Sequence, residues 1–106
     1  MGNAAEYKVI VSEIAAKMLV SHARFLAQVS ETAALRLISE FEEKTKSLKH
    51  MPERCQYLDV PILAEQKYRK LFFEKHYLLL FQIKAQTVYI DAVVDCRQNN
   101  CWLLTK

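Results

Sequence analysis

A chain of 106 residues, 52% hydrophobic and 25% charged, is sized and composed for a single globular domain spanning 1–106, with a core that needs no staples. No apolar run approaches the ~20 residues of a membrane-spanning helix, and the start Met1-Gly2-Asn3-Ala4-Ala5 does not read as a secretion leader, so no membrane partner and a cytoplasmic location are expected. The net charge of +3 is uneven: residues 1–66 carry 8 Lys and Arg against 9 Asp and Glu, whereas residues 67–106 carry 7 against 3, so the second half permits an acidic or nucleic-acid partner.

Glu6-Tyr7-Lys8-Val9-Ile10-Val11 reads as a first strand, with Tyr7, Val9 and Val11 on one face. Ser12 stops it. A serine hydroxyl there can accept from an otherwise unpaired amide of a first helical turn, and Glu13 suits that turn's positive end. Ala15, Met18, Leu19, His22, Leu26 and Val29 then share one helical face over 13–29, with Phe25 beside them. His22 on that stripe reads as a hydrogen-bonded packing residue rather than a ligand. Ser30 punctuates again. A second helix over 31–50 carries the stripe Ala34, Leu37, Ile38, Phe41 and Leu48. Glu40–Lys44 and Glu42–Lys46 are i,i+4 pairs worth a few tenths of a kcal/mol each. Lys46, Lys49 and His50 suit the negative end of the helix, and equally a phosphate backbone. Pro52 ends the helix. The connector 51–66, with Tyr57, Leu58, Val60, Ile62 and Leu63, reads as a loop packed on the body.

The stretch Lys67–Gln98 reads as three consecutive strands, 68–73, 77–83 and 87–95, because runs of strong β-formers alternate with short polar breaks. Neither break contains Gly, so type I turns with a bulge are expected. The middle strand, Tyr77-Leu78-Leu79-Leu80-Phe81, is apolar on both faces. Antiparallel sheets usually keep one face wet. Leu79, Phe81 and Ile83 share one face; Leu78, Leu80 and Gln82 share the other. Helices of the same chain should cover one set. The tail Cys101-Trp102-Leu103-Leu104 or a partner should cover the other, which makes Leu78 and Leu80 candidate partner-binding residues.

Cys55, Cys96 and Cys101 are an odd number, which reads as ordinary thiols in a reducing compartment. With three scattered histidines they make no zinc pattern, so neither metal nor cofactor is expected. The single Gly excludes a Gly-rich phosphate loop. The order strand, helix, helix, strand, strand, strand predicts an α+β fold. An antiparallel helix pair should pack on one face of a four-stranded, mainly antiparallel sheet.

This order and these residues resemble the RelE/ParE superfamily of toxins from type II toxin–antitoxin modules. The matching stretches are Tyr7-Lys8-Val9-Ile10-Val11-Ser12, the helix pair ending Leu48-Lys49-His50-Met51-Pro52, and Tyr68-Arg69-Lys70-Leu71. Beyond them come Tyr77-Leu78-Leu79-Leu80-Phe81-Gln82-Ile83, Val88-Tyr89-Ile90 and Val93-Val94-Asp95-Cys96-Arg97-Gln98. The resemblance covers nearly the whole chain and rests on pattern rather than on one signature. It implies a growth-arresting bacterial toxin held inactive by a cognate antitoxin.

Ribonuclease members of that superfamily cleave mRNA on the ribosome with basic groups on the sheet; members of the gyrase-poisoning branch lack that set. Tyr68-Arg69 aligns with the basic second strand of the nuclease type, and Arg97-Gln98 with its last-strand end. The resemblance therefore nominates Arg69 and Arg97 as catalytic, and Lys67, Arg69 and Arg97 as nucleic-acid or target-binding. Where many nucleases carry Tyr-Arg after the turn, this chain has Tyr77-Leu78. Cleavage by a 2′-hydroxyl needs proton-transfer groups and cations aimed at the phosphate, and a leucine is no cation. Three activities stay open: a ribosome-dependent mRNA endonuclease, a gyrase-type binding inhibitor, and a degenerate toxin that keeps only antitoxin binding. Plainer roles stand beside them. Arg69 can guard a sheet edge, Arg97 can pair with Asp95, Tyr77 and Tyr89 can pack the sheet, and Glu74 and His76 can simply fill a turn.

Overall fold

The computed structural model describes residues 6–58 and 67–97. In chain order they form β1 (Lys8–Val11), α1 (Glu13–Ala27), α2 (Glu31–Ser47), one 3-10 turn (Pro52–Arg54), β2 (Arg69–Phe73), β3 (Tyr77–Lys84) and β4 (Thr87–Asp95). The strands lie in the order β1-β4-β3-β2, with β1 parallel to β4 and the other pairs antiparallel. The α+β fold expected from the sequence is therefore the observed one. The helix pair covers one face of the sheet, α1 lying over β4 and α2 against β2.

The helices start where the serines place them. Ser12 Oγ accepts from Ala15 N at 3.0 Å and Ser30 Oγ from Ala33 N at 3.1 Å. Each bond satisfies one amide that the first turn cannot pair internally. The helices end earlier than the apolar pattern implies. Val29 lies beyond α1 and is 84% exposed, so it is no part of the buried stripe. Ala15, Ala23, Ala34, Leu37 and Phe41 from the helices meet Phe73, Tyr77, Leu79, Phe81, Val88, Ile90 and Val93 from the sheet in one core. The small alanines let the helices approach the sheet closely, and Phe81 and Leu79 fill the centre without exposed surface.

At the C-terminus of α2 the last carbonyls are met by a residue the sequence reading passed over. Arg54 donates to His50 O at 2.8 Å, to Met51 O at 3.2 Å and to Ser47 Oγ at 2.9 Å. His50 instead faces Glu6 at 3.6 Å.

Two features of the sheet depart from simple alternation. Between Leu80 and Phe81 the β3–β4 register shifts: Leu80 pairs with Ala92 but Phe81 with Ile90, leaving Asp91 as an extra residue. That bulge exchanges the faces of β4 halfway along. Val88 and Ile90 point to the helices before it; Val93 and Asp95 do so after it. Asp91 itself accepts from Gln82 Nε2 at 2.5 Å.

The turns are the second departure. They are not type I. Glu74 and Lys75 have φ of 48° and 65°, and Ala85, first residue of the two-residue turn between Lys84 and Thr87, has φ of 55°. Left-handed backbone matches the twist of a tight hairpin, and the short breaks force it even without Gly. Each such non-Gly residue costs about 1–2 kcal/mol. Ala85→Gly is therefore expected to raise stability by about 0.5–1 kcal/mol, after its greater unfolded-state entropy is subtracted. A urea-unfolding midpoint that stays put or falls would contradict this.

Candidate functional site

The nominated cations occupy two separate places. Arg69 opens β2, and its register partner is Phe81, so it projects from the helix-side face at the sheet edge. There its Nη1 and its guanidinium face hold the segment after α2. Its Nη1 donates to Cys55 O at 2.7 Å and to Glu53 O at 3.1 Å, while its guanidinium lies 4.0 Å from the Tyr57 ring centroid. Backbone bonds Leu58 N to Tyr68 O and Lys70 N to Gln56 O complete this attachment. Tyr7 hydroxyl donates to the Glu53 carboxylate beside it. That bond holds the phenol above and the carboxyl below their ordinary values. Lys67 precedes β2, is exposed, and has its ammonium 5.4 Å from the Tyr68 ring centroid.

Arg97 stands at the other end of the sheet. Asp95, 1% exposed, is the register partner of Tyr77 because the bulge has turned it to the helix side. Its carboxylate accepts from Arg97 Nε at 3.2 Å, Arg97 Nη2 at 3.3 Å and Arg97 backbone N at 2.9 Å. Arg97 Nη2 also donates to Tyr77 hydroxyl at 3.1 Å. The bond to Asp95 raises the guanidinium pKa further, so the group stays charged. Burial first, and then the Asp95 carboxylate, push the Tyr77 phenol above the usual tyrosine value. It is protonated at neutral pH and offers no base for proton abstraction. The Tyr77 ring lies 5.5 Å from that of His22, whose Nε2 is 2.8 Å from Val93 O. His22 is thus a packing residue tied to the sheet, as its place on the apolar stripe implies.

Arg69 and Asp95 face Phe81 and Tyr77 of the same strand, four positions apart. At ~3.3 Å per residue their backbones are about 13 Å apart along the sheet. Leu78, where a nuclease would carry a third cation, faces away from the helices between Phe72 and Val94. It has no exposed surface, so in this conformation it offers a partner none; Leu80 on the same face is partly exposed. The tail 101–104, proposed above as cover for that face, lies outside the described residues.

Several grooves border the helices among the described residues. One, of about 470 Å³, lies between the helix pair and the β2–β3 turn and is lined by Arg36, Lys75, His76 and Arg97 with Glu74, over Leu26, Ala33, Leu37 and Tyr77. Another, of about 420 Å³, runs along the outer side of the helix pair and is lined mainly by Val20, Ala23, Ala27, Ala34, Leu35 and Ile38. Val20 and Leu35 are 47% and 62% exposed there.

The cysteine reading needs one correction. Cys55 is a free, buried thiol, its pKa raised by burial and hence unreactive. Cys96 is not a thiol: it is disulfide-bonded. Among the described residues no helix is long and apolar enough to cross a membrane.

Three comparisons place the chain among known proteins. A family model described as "ParE toxin of type II toxin-antitoxin system, parDE" matches residues 9–100. Among solved structures the chain is similar to one titled "Chromosomal ParDE TA system from P. aeruginosa", at 15% identity and a TM-score of 0.67, covering 87% of this chain and 98% of that one. No curated protein matches.

Proposed function

The chain belongs to the ParE toxin family of type II toxin–antitoxin systems, and from that premise we propose that it arrests growth by binding a macromolecular target rather than by cutting RNA. The observation that carries this reading is the separation of Arg69 from Arg97, with an apolar residue at position 78. Arg69 is bonded to two backbone carbonyls and Arg97 to Asp95, the backbones of Arg69 and Asp95 lie about 13 Å apart along the sheet, and position 78 is a buried leucine. RNA cleavage relies on cations and proton-transfer groups converging on one phosphate. This arrangement favours the gyrase-type mode of inhibition over the nuclease mode.

The cognate antitoxin is assigned to the outer groove of the helix pair. Val20, Leu35 and Ile38 form an exposed apolar strip along two helices, and an amphipathic helix fits such a groove. Covering it removes apolar surface that a lone toxin leaves in water.

The test is induction of the chain in a bacterial host, followed by primer extension across abundant transcripts. Growth arrest with intact transcripts is expected, relieved by co-expressing the cognate antitoxin. Codon-phased cuts appearing on induction would reject the binding mode.

A further inference from the structure

The groove between the helix pair and the β2–β3 turn has a chemistry that the toxin assignment leaves unused. Three cations meet on its rim: Arg36 from α2, Lys75 from the turn and Arg97 from the end of β4. Arg36 and Lys75 are exposed and have no ion-pair partner among the described residues. Among the described residues Arg97 uses Nε and Nη2, on Asp95 and Tyr77, which leaves the two N–H groups of Nη1 for a ligand. Glu74 is the one carboxylate lining the groove.

The rim is also held in place. Cys96 N donates to His76 O at 2.7 Å, which ties the β2–β3 turn to the residue before Arg97. Glu74 and Lys75 keep left-handed backbone although neither is Gly. Asp95, buried beneath, fixes the plane of the Arg97 guanidinium without lining the groove.

The floor decides the kind of ligand. Leu26 and Ala33 are partly exposed apolar surface, which an inorganic anion alone would leave bare. Tyr77 is 3% exposed, so its ring face is closed to a stacking base, and His76 is left as the exposed ring of the groove, short of the run of stacking platforms that single-stranded nucleic acid uses. The cations converge on one cavity instead of tracking a backbone.

We propose that this groove docks an acidic peptide segment of a protein partner, with a carboxylate held by Arg97 Nη1, Lys75 and Arg36 and a neighbouring apolar side chain on Leu26 and Ala33. The inference does not depend on which process the toxin blocks. The experiment uses the purified full chain and two fluorescein-labelled nonapeptides, one alternating glutamate with leucine and the other glutamine with leucine. The acidic peptide binds, more weakly as salt rises, and shifts the amide resonances of Lys75, His76 and Arg97; the glutamine peptide does not. Arg36→Glu and Lys75→Glu, both at exposed positions, each weaken binding about tenfold or more. Lys84→Glu, exposed at the opposite end of β3, leaves it unchanged. No binding, equal binding of the two peptides, or undiminished binding by Arg36→Glu and Lys75→Glu overturns the proposal. So does an oligouridylate of matched charge that binds more tightly through the same residues.

Discussion

Leu78→Arg is expected to lower the stability of this protein by about 3–5 kcal/mol and to produce no RNA cleavage. The substitution restores the Tyr-Arg pair that, by the resemblance to the RelE/ParE superfamily, many of its nucleases carry after the turn. Leu78 has no exposed surface and sits in the middle of the sheet between Phe72 and Val94. A guanidinium there loses its hydration, and the apolar groups opposite it in register on both sides offer no counter-charge. The leucine's packing is lost as well. Denaturant unfolding of the purified variant measures the first part, and primer extension after induction the second. A variant as stable as the parent would contradict the burial of Leu78 as a source of stability. Codon-phased cuts would mean that the missing charge alone had silenced a nuclease.

Arg69→Ala should come next in size, at about 2–4 kcal/mol. Hydrogen bonds to charged groups contribute about 1.5–3 kcal/mol, and a cation over an aromatic ring adds about 0.5–1 kcal/mol where exposed. Arg69 supplies both: bonds to the carbonyls of Cys55 and Glu53, and a face against Tyr57. An exposed charge guarding an edge strand would give almost no change on removal. Arg69→Lys should restore only part of the loss, since an ammonium lacks the planar fork that bridges and stacks at once. Lys67→Ala, at an exposed neighbour with only a ring contact, serves as the control within about 0.5 kcal/mol of the parent. Equal unfolding midpoints for Arg69→Ala and Lys67→Ala would remove the structural role assigned to Arg69.

What the sequence determined by itself were the features set by local physics. Ser12 and Ser30 cap helices because a serine hydroxyl reaches an amide three residues on. The 3.6-residue spacing of Ala34, Leu37 and Phe41 chose the buried side of α2. The period of two sorted β3 into the sets Leu79, Phe81, Ile83 and Leu78, Leu80, Gln82, although with both sets largely apolar only the fold decided which of them meets the helices. The tertiary structure alone decided where the charges went. Counting by two from Val88 and Ile90 puts Asp95 on the outer face. The extra residue Asp91 reverses that count, so Asp95 turns inward to meet Tyr77 and orient Arg97. A bulge depends on how two strands register against each other, and neither strand's own pattern contains it. Arg69 and Arg97 look alike in the sequence, as basic residues at strand ends. One anchors the segment after α2 and the other borders a basic groove, because the carbonyls and the carboxylate that engage them come from distant parts of the chain or from a residue whose face the bulge had already exchanged.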